Sequence, residues 1–114
     1  MLLKRNTLIN SFKKYIYQEI IKSLNDLDIK RPESEFSLSP PKHDSFGDLS
    51  SNISMILAKS LKENPIDIAN RIKNNLIEKK LDNIEEITVT PPCFINFVIK
   101  AKLNENQIKS IIKY

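Results

Sequence analysis

A single glycine, Gly47, constrains this chain more than any other residue in its 114 positions. It lies between Phe46 and Asp48, just before an apolar pattern of helical period begins at Leu49. Because glycine has no Cβ, it tolerates positive φ and lets another segment approach its backbone closely. A chain with only one glycine is expected to use it where one of these properties is needed. We therefore predict a tight turn at Gly47.

A helix is predicted directly after this turn, ending near residue 62. Its apolar residues follow the spacing of one helical face: Leu49, Ile53, Ile56, Leu57 and Leu61. Asp48 has the side chain of a good N-cap residue, and Ser50 and Ser51 are alternative caps.

The composition indicates one ordinary globular domain, with 40% hydrophobic and 28% charged residues. The net charge of +4 permits an anionic partner such as RNA without requiring one. The lone cysteine, Cys93, excludes an internal disulfide and suits a reducing compartment. Since no apolar run is long enough to span a membrane, we expect a cytoplasmic protein that does not engage a membrane.

Two further helices are predicted around the first strand. The first helix runs from about Leu3 to Leu27, and Leu8, Phe12, Ile16, Ile20 and Leu24 recur at every fourth position. Residues 35–39 alternate polar and apolar, which is typical of a half-buried strand. Asn64 and Pro65 begin another helix as N-cap and N1. Its expected buried residues are Ile68, Ala69, Ile72, Leu76 and Ile77.

Two strands are predicted near the end of the chain. Residues 86–90 place Ile87 and Val89 inward, and Pro91 with Pro92 separates them from the run 93–100. In that run, Cys93, Ile95, Phe97 and Ile99 share the inner face, and Phe94, Asn96, Val98 and Lys100 share the other. The order of elements predicts an α+β fold, in which an antiparallel sheet of about four strands carries helices mainly on one face.

An enzymatic function has little support among these residues. One histidine and one cysteine are too few for a zinc site, and one glycine cannot build a phosphate-cradling loop. A Cys93–His43 nucleophile pair remains open, because such pairs are assembled in space. However, Cys93 alternates with core residues and is expected to be a buried, inert thiol. We predict no catalytic residue and no metal ligand.

Phe94 and Asn96 suggest a binding function. They share the strand face opposite the apolar one, and an aromatic ring beside an amide can stack on an unpaired base and hydrogen-bond its edge. The alternative is that Phe94 packs under a loop or the last helix, while Asn96 bonds a nearby backbone group.

Three blocks of the sequence together resemble the N-terminal additional domain of arginyl-tRNA synthetase. The segment 46–52 is similar to the family's Phe-Gly-Asp-Tyr-x-x-Asn, and 65–69 to its Pro-x-x-Ile-Ala. The segment 90–97 is similar to Ala-Gly-Pro-Gly-Phe-Ile-Asn-hydrophobic, although Pro91 and Cys93 stand where the family has glycines. Order and spacing agree over nearly the whole chain.

The resemblance implies a domain that contacts the elbow of tRNA-Arg. By position, Phe94 would stack on a D-loop nucleotide and Asn96 would hydrogen-bond it. Phe46, Gly47, Asp48 and Asn52 would form a structural turn and helix start. The full enzyme would ligate arginine to tRNA-Arg with ATP and magnesium.

The family's catalytic signatures, His-Ile-Gly-His and a Lys-Met-Ser-Lys-like loop, do not occur in these residues. The chain alone is therefore expected to be inactive and to require no cofactor. We expect residues 1–103 to form the tRNA-binding domain. Residues 104–114, with Asn104 and Gln107 at capping-box spacing, are expected to begin a helix leading to the catalytic domain. The alternative is a free-standing RNA-binding or protein-interaction module of the same fold.

Overall fold

The computed structural model describes residues 5–43 and 46–100, with side chains described from residue 10 onward. Within these residues the chain forms three helices and four strands. In chain order they are α1 (Arg5–Asp26), β1 (Leu38–Ser39), β2 (Leu49–Ser51), α2 (Ile53–Leu61), α3 (Pro65–Glu78), β3 (Ile84–Thr90) and β4 (Phe94–Ile99). The predicted helix after residue 103 and the domain boundary there lie outside the described residues.

The four strands form one antiparallel sheet in the order β1-β2-β4-β3. One face of the sheet is apolar, and Leu49, Ile87, Ile95, Phe97 and Ile99 are buried there. Buried side chains of all three helices belong to the same core. The predicted α+β fold, with helices mainly on one face of an antiparallel sheet, is confirmed. The face of the sheet that points away from this core is called the open face below.

α1 forms as its apolar period predicts. Phe12, Ile16, Ile20 and Leu24 are each at most 1% exposed, so the stripe at every fourth position is the buried face. Leu8 lies in the part of the helix whose side chains are not described. Burial of an apolar stripe is the main source of helix stability in proteins, since isolated helices are marginal in water.

The helix predicted after Gly47 forms as α2 and ends close to the expected residue, but its start was predicted wrongly. Residues Leu49–Ser51 form β2, and α2 begins only at Ile53 with Asn52 as its N-cap. Asp48 is not the N-cap, because its carboxylate accepts a hydrogen bond from the Ile99 amide at 2.8 Å. The Ile53 amide donates instead to Ser51 Oγ at 3.2 Å. Leu49 is nevertheless buried, but as a strand residue.

β1 is shorter than the predicted strand over residues 35–39. The Ser37 amide donates to Asn52 Oδ1 at 2.7 Å, outside the ladder, and pairing with β2 begins at Leu38. Phe36 is still buried, because its ring stacks on Tyr17 with centroids 4.1 Å apart. The apolar positions of this segment were therefore predicted correctly, although most of the segment is not strand.

α3 begins as predicted. Asn64 Oδ1 accepts from the Ile66 amide at 2.9 Å, and Pro65 occupies the first turn, where a missing N–H costs no helical bond. The predicted buried residues Ile68, Ala69, Ile72 and Leu76 are all completely buried. Ile77 was predicted wrongly, since it lies at the edge of the stripe and is 49% exposed.

Candidate functional site: a cavity on the open face of the sheet

A row of small polar side chains crosses the open face. The strand register places Ser39 opposite Ser50, Ser50 opposite Asn96, and Asn96 opposite Thr88. Residues directly opposite in an antiparallel pair lie on the same side of the sheet. The open face therefore presents hydroxyl and amide groups at its centre, while the inner face is apolar.

A cavity of about 320 Å³ lies where this row meets two connections. The sheet contributes Ser50 and Asn96, the loop after β1 contributes Lys42, His43 and Phe46, and the β3–β4 turn contributes Pro91. Phe94, the first residue of β4, also lines it. The volume lies at the lower end of the range typical of small-molecule sites.

Phe94 and Asn96 line the same cavity, since both lie on the open face of β4. Phe94 is half-buried, so part of its ring is accessible. Asn96 is only 1% exposed, and its Nδ2 donates to Thr90 Oγ1 at 2.9 Å. A residue on the open face was expected to expose its amide to solvent, whereas the Asn96 side chain is buried. An amide in such a place has little water competing for its hydrogen bonds, which strengthens those it makes.

Two further aromatic rings line the cavity. His43 and Phe46 meet edge to face, with ring centroids 5.6 Å apart and an interplanar angle of 76°. Phe46 is 39% exposed, one of the two large hydrophobic side chains exposed among the described residues. The sequence pattern suggested His43 only as a possible partner of Cys93, and it placed Phe46 in a turn. The fold alone brings residues 43, 46 and 94 to one cavity. No local sequence pattern could therefore have connected them.

The charge of the cavity favours an anionic ligand. Lys42 lines it, and no Asp or Glu is found among its described lining residues. Lys42 is exposed and has no ion pair with any described residue. An exposed positive charge therefore lies beside a polar and aromatic cavity.

Gly47 shapes the edge of this site. Its φ is +130°, and a Cβ added there would lie 2.9 Å from the Phe97 carbonyl oxygen. The Asp48 amide donates to the same oxygen at 2.9 Å. The loop that contributes Phe46 therefore returns to the sheet in direct contact with β4, at a distance that only glycine allows.

Asp48 and Asn52 connect segments that are distant in sequence. Asp48 Oδ2 accepts from the Ile99 amide, which extends the β2–β4 contact to the residue before the first residue of β2. Asn52 Oδ1 accepts from the Ser37 amide next to β1. Both side chains bond backbone amides and neither lines the cavity.

The other chemistry considered from sequence is not assembled. Cys93 is completely buried, and burial raises the pKa of its thiol, which keeps it protonated and unreactive. It does not line the cavity to which His43 contributes. Within residues 5–43 and 46–100, no group of three or more His, Cys, Asp or Glu side chains could hold a metal ion. In the same residues, none of the helices has the length and apolar content required to cross a membrane.

The chain belongs to the arginyl tRNA synthetase N terminal domain family, whose model matches residues 11–99. The match extends from α1 to the end of β4 and includes every residue of the cavity. The resemblance stated from three sequence blocks is confirmed at the level of the family.

Several curated relatives are arginine--tRNA ligases. That of Mesomycoplasma hyopneumoniae strain J is 39% identical over 101 residues, which are 89% of this chain and 18% of the relative. That of Thermotoga maritima is 33% identical over 93% of this chain and 18% of its own length. That of Pelagibacter ubique is 38% identical over 91% and 16%, respectively. The chain thus spans less than a fifth of these relatives.

Proposed function

We propose that this chain is the tRNA-binding domain of an arginine--tRNA ligase and contacts the D-loop at the elbow of tRNA-Arg. The observation that carries the proposal is the shared cavity of Phe94 and Asn96 on the open face. In this proposal an unpaired D-loop base stacks on the Phe94 ring. Asn96 hydrogen-bonds the edge of that base, and Lys42 lies near its phosphate.

The physical chemistry of the cavity supports a single-stranded nucleotide rather than a duplex. Sequence-specific RNA recognition mostly uses unpaired bases that leave the stack and lie against aromatic side chains. The half-buried Phe94 ring has an accessible part, and Asn96 provides both a donor and an acceptor within the same cavity. A duplex would meet only the exposed rim, where Lys42 offers one charge.

The whole ligase is proposed to join arginine to tRNA-Arg with ATP and magnesium, in the cytoplasm. We assign neither ATP nor magnesium to the residues that the structure describes. It has one glycine, and its described residues contain no acidic or histidine cluster suited to a metal. No step of the reaction is therefore assigned to them. The catalytic domain would be a partner supplied by the rest of the ligase.

The test is an amide NMR titration of this chain with a tRNA-Arg transcript and with a transcript altered in the D-loop. We expect shifts confined to residues 94–100 and to the neighbourhood of Gly47, and their loss with the altered transcript. Diffuse shifts at lysines, erased by salt and indifferent to the D-loop, would overturn the proposal, since they report only phosphate attraction.

Variants of two apolar residues add a quantitative test. Phe94→Ala is expected to weaken binding by about 1–3 kcal/mol, the scale for losing one stacked base. Ile77→Ala is the matched control, because Ile77 is an exposed apolar residue on α3, outside the cavity. Thermal unfolding of both variants tests the alternative, in which Phe94 is a packing residue. If Phe94→Ala unfolds the chain while Ile77→Ala does not, Phe94 is a core residue and not a binding residue.

A further inference from the structure

We propose that Thr90 is a positioning residue that holds the Asn96 amide in one orientation and thereby sets which base the cavity accepts. This inference rests on the proposed function. It concerns the selectivity of the cavity, whereas the proposed function concerns its occupancy.

The hydrogen bond from Asn96 Nδ2 to Thr90 Oγ1, 2.9 Å long, is the one side-chain bond that the described residues provide to this amide. The last torsion of an asparagine side chain is broad, so an amide without an anchor samples many orientations. With Nδ2 held at Thr90, the Oδ1 acceptor and the second Nδ2 proton take fixed directions. A base edge must then offer its donor and acceptor in the matching order.

The strand register explains why Thr90 can act in this way. Thr90 lies directly opposite Phe94 on the open face, and Asn96 is two residues farther along β4. Thr90 is thus the diagonal neighbour of Asn96 and the direct neighbour of Phe94. It also lines the cavity, so one residue joins the stacking and hydrogen-bonding groups of the site.

Thr88 provides an internal comparison. It is the same residue type on the same strand and face, and it lies directly opposite Asn96, yet it makes no hydrogen bond to the amide. It also does not line the cavity. Loss of the Thr88 hydroxyl changes a cross-strand neighbour of Asn96 without releasing the amide.

The experiment measures dissociation constants for four tRNA-Arg transcripts that differ only in the base at the contacted D-loop position. For the unaltered chain, the dissociation constant of the most weakly bound transcript divided by that of the most tightly bound one gives a selectivity ratio. Thr90→Val is expected to lower this ratio about tenfold, the scale of one base-edge contact, because a free amide can turn to match either edge. Thr90→Ser, which retains the hydroxyl, and Thr88→Val are both expected to preserve the ratio.

The inference is overturned if Thr90→Val leaves the ratio unchanged. This holds whether the variant keeps its affinity or loses it equally for all four transcripts. If Thr90→Val fails to fold, Thr90→Ala is the second hydroxyl-free variant. Hydrogen exchange gives an independent measurement. The Asn96 side-chain protons should exchange more slowly in the unaltered chain than in Thr90→Val, and equal rates would exclude the anchor.

Failure of the proposed function gives a different result. In that case Phe94→Ala and Asn96→Ala leave all four dissociation constants unchanged, and the unaltered chain itself has a ratio near one. If those two variants weaken binding while Thr90→Val preserves the ratio, the cavity binds the nucleotide and only the role of Thr90 is wrong.

Discussion

The Asp48 carboxylate accepts a hydrogen bond from the Ile99 amide, 51 positions later in the chain, at 2.8 Å. Together with the bond from the Asp48 amide to the Phe97 carbonyl, it attaches the loop after β1 to β4, an inner strand of the sheet. This loop contributes Phe46 and Lys42 to the cavity, and β4 contributes Phe94 and Asn96. The attachment therefore fixes the distance between the two halves of the candidate site.

Replacement of Gly47 by alanine should destabilise the chain by about 2 kcal/mol or more. The added Cβ would meet the Phe97 carbonyl oxygen at 2.9 Å, and φ of +130° is a strained conformation for any residue with a side chain. Urea unfolding measures the change. Ser34→Ala, at an exposed position far from this contact in sequence, serves as control and should change stability by less than about 0.5 kcal/mol. A Gly47→Ala chain as stable as the control would contradict the close approach.

Asp48→Ala should cost about 1–3 kcal/mol, since it leaves the partly buried Ile99 amide without its acceptor. Asp48→Asn retains an acceptor oxygen of the same shape and should cost less. Comparison of the two variants by urea unfolding separates the loss of the hydrogen bond from the loss of the charge. Equal destabilisation by both would mean that the charge, rather than the acceptor, stabilises this junction.

The ion pair between Asp26 and Lys79 should be detectable in an NMR pH titration. A hydrogen bond from the Lys79 ammonium, 3.0 Å from Asp26 Oδ2, lowers the pKa of the Asp26 carboxyl below its ordinary value of 3.8. A carboxyl with a lowered pKa in the folded state stabilises the fold above pH 3.8. This contribution is lost as the pH falls through the lower, folded-state value.

Lys79→Met should therefore raise the pKa of Asp26 towards 3.8. Lys14→Met, an exposed substitution elsewhere on α1, should leave the pKa of Asp26 unchanged. The difference in unfolding free energy between the unaltered chain and Lys79→Met should shrink as the pH is lowered below 3.8. An unchanged Asp26 titration in Lys79→Met would show that the pair does not form in solution.

Cys93 should resist thiol reagents in the folded chain. Its side chain is completely buried, and burial raises the pKa of the thiol, so the reactive thiolate is scarce. Labelling by a chromogenic disulfide should proceed only at the rate of unfolding and should become rapid in urea. Fast labelling under native conditions would restore the hypothesis of a cysteine nucleophile.

Much of the architecture could be predicted from local pattern. The period of apolar residues placed α1 and α3, and alternation placed β3, β4 and their two faces, because each pattern describes which side of one element is buried. The start of α3 was equally local, since Asn64 caps a helix that Pro65 begins. The candidate binding pair also followed from alternation, which put Phe94 and Asn96 on one face of β4.

The errors at residues 48–51 occurred where a short segment is governed by a distant partner. Leu49 fits a helical stripe and a strand equally well, and only β4 decides between them by pairing with residues 49–51. Asp48 is a good N-cap in isolation, but its carboxylate bonds the Ile99 amide. Local propensity is a weak guide when a long-range hydrogen bond satisfies the same side chain.

The sequence by itself determined the fold class, the buried faces and the need for glycine at residue 47, because these depend on residue spacing and on the absence of one Cβ. Only the tertiary structure decided what the glycine faces, how Asn96 is buried and anchored to Thr90, and which loop residues join Phe94 in the cavity. The first and the last of these features depend on distances between segments about 50 positions apart in sequence, and the contact of Asn96 with Thr90 depends on the register of two paired strands. Such distances are set by strand pairing and core packing, which are not written in any local pattern.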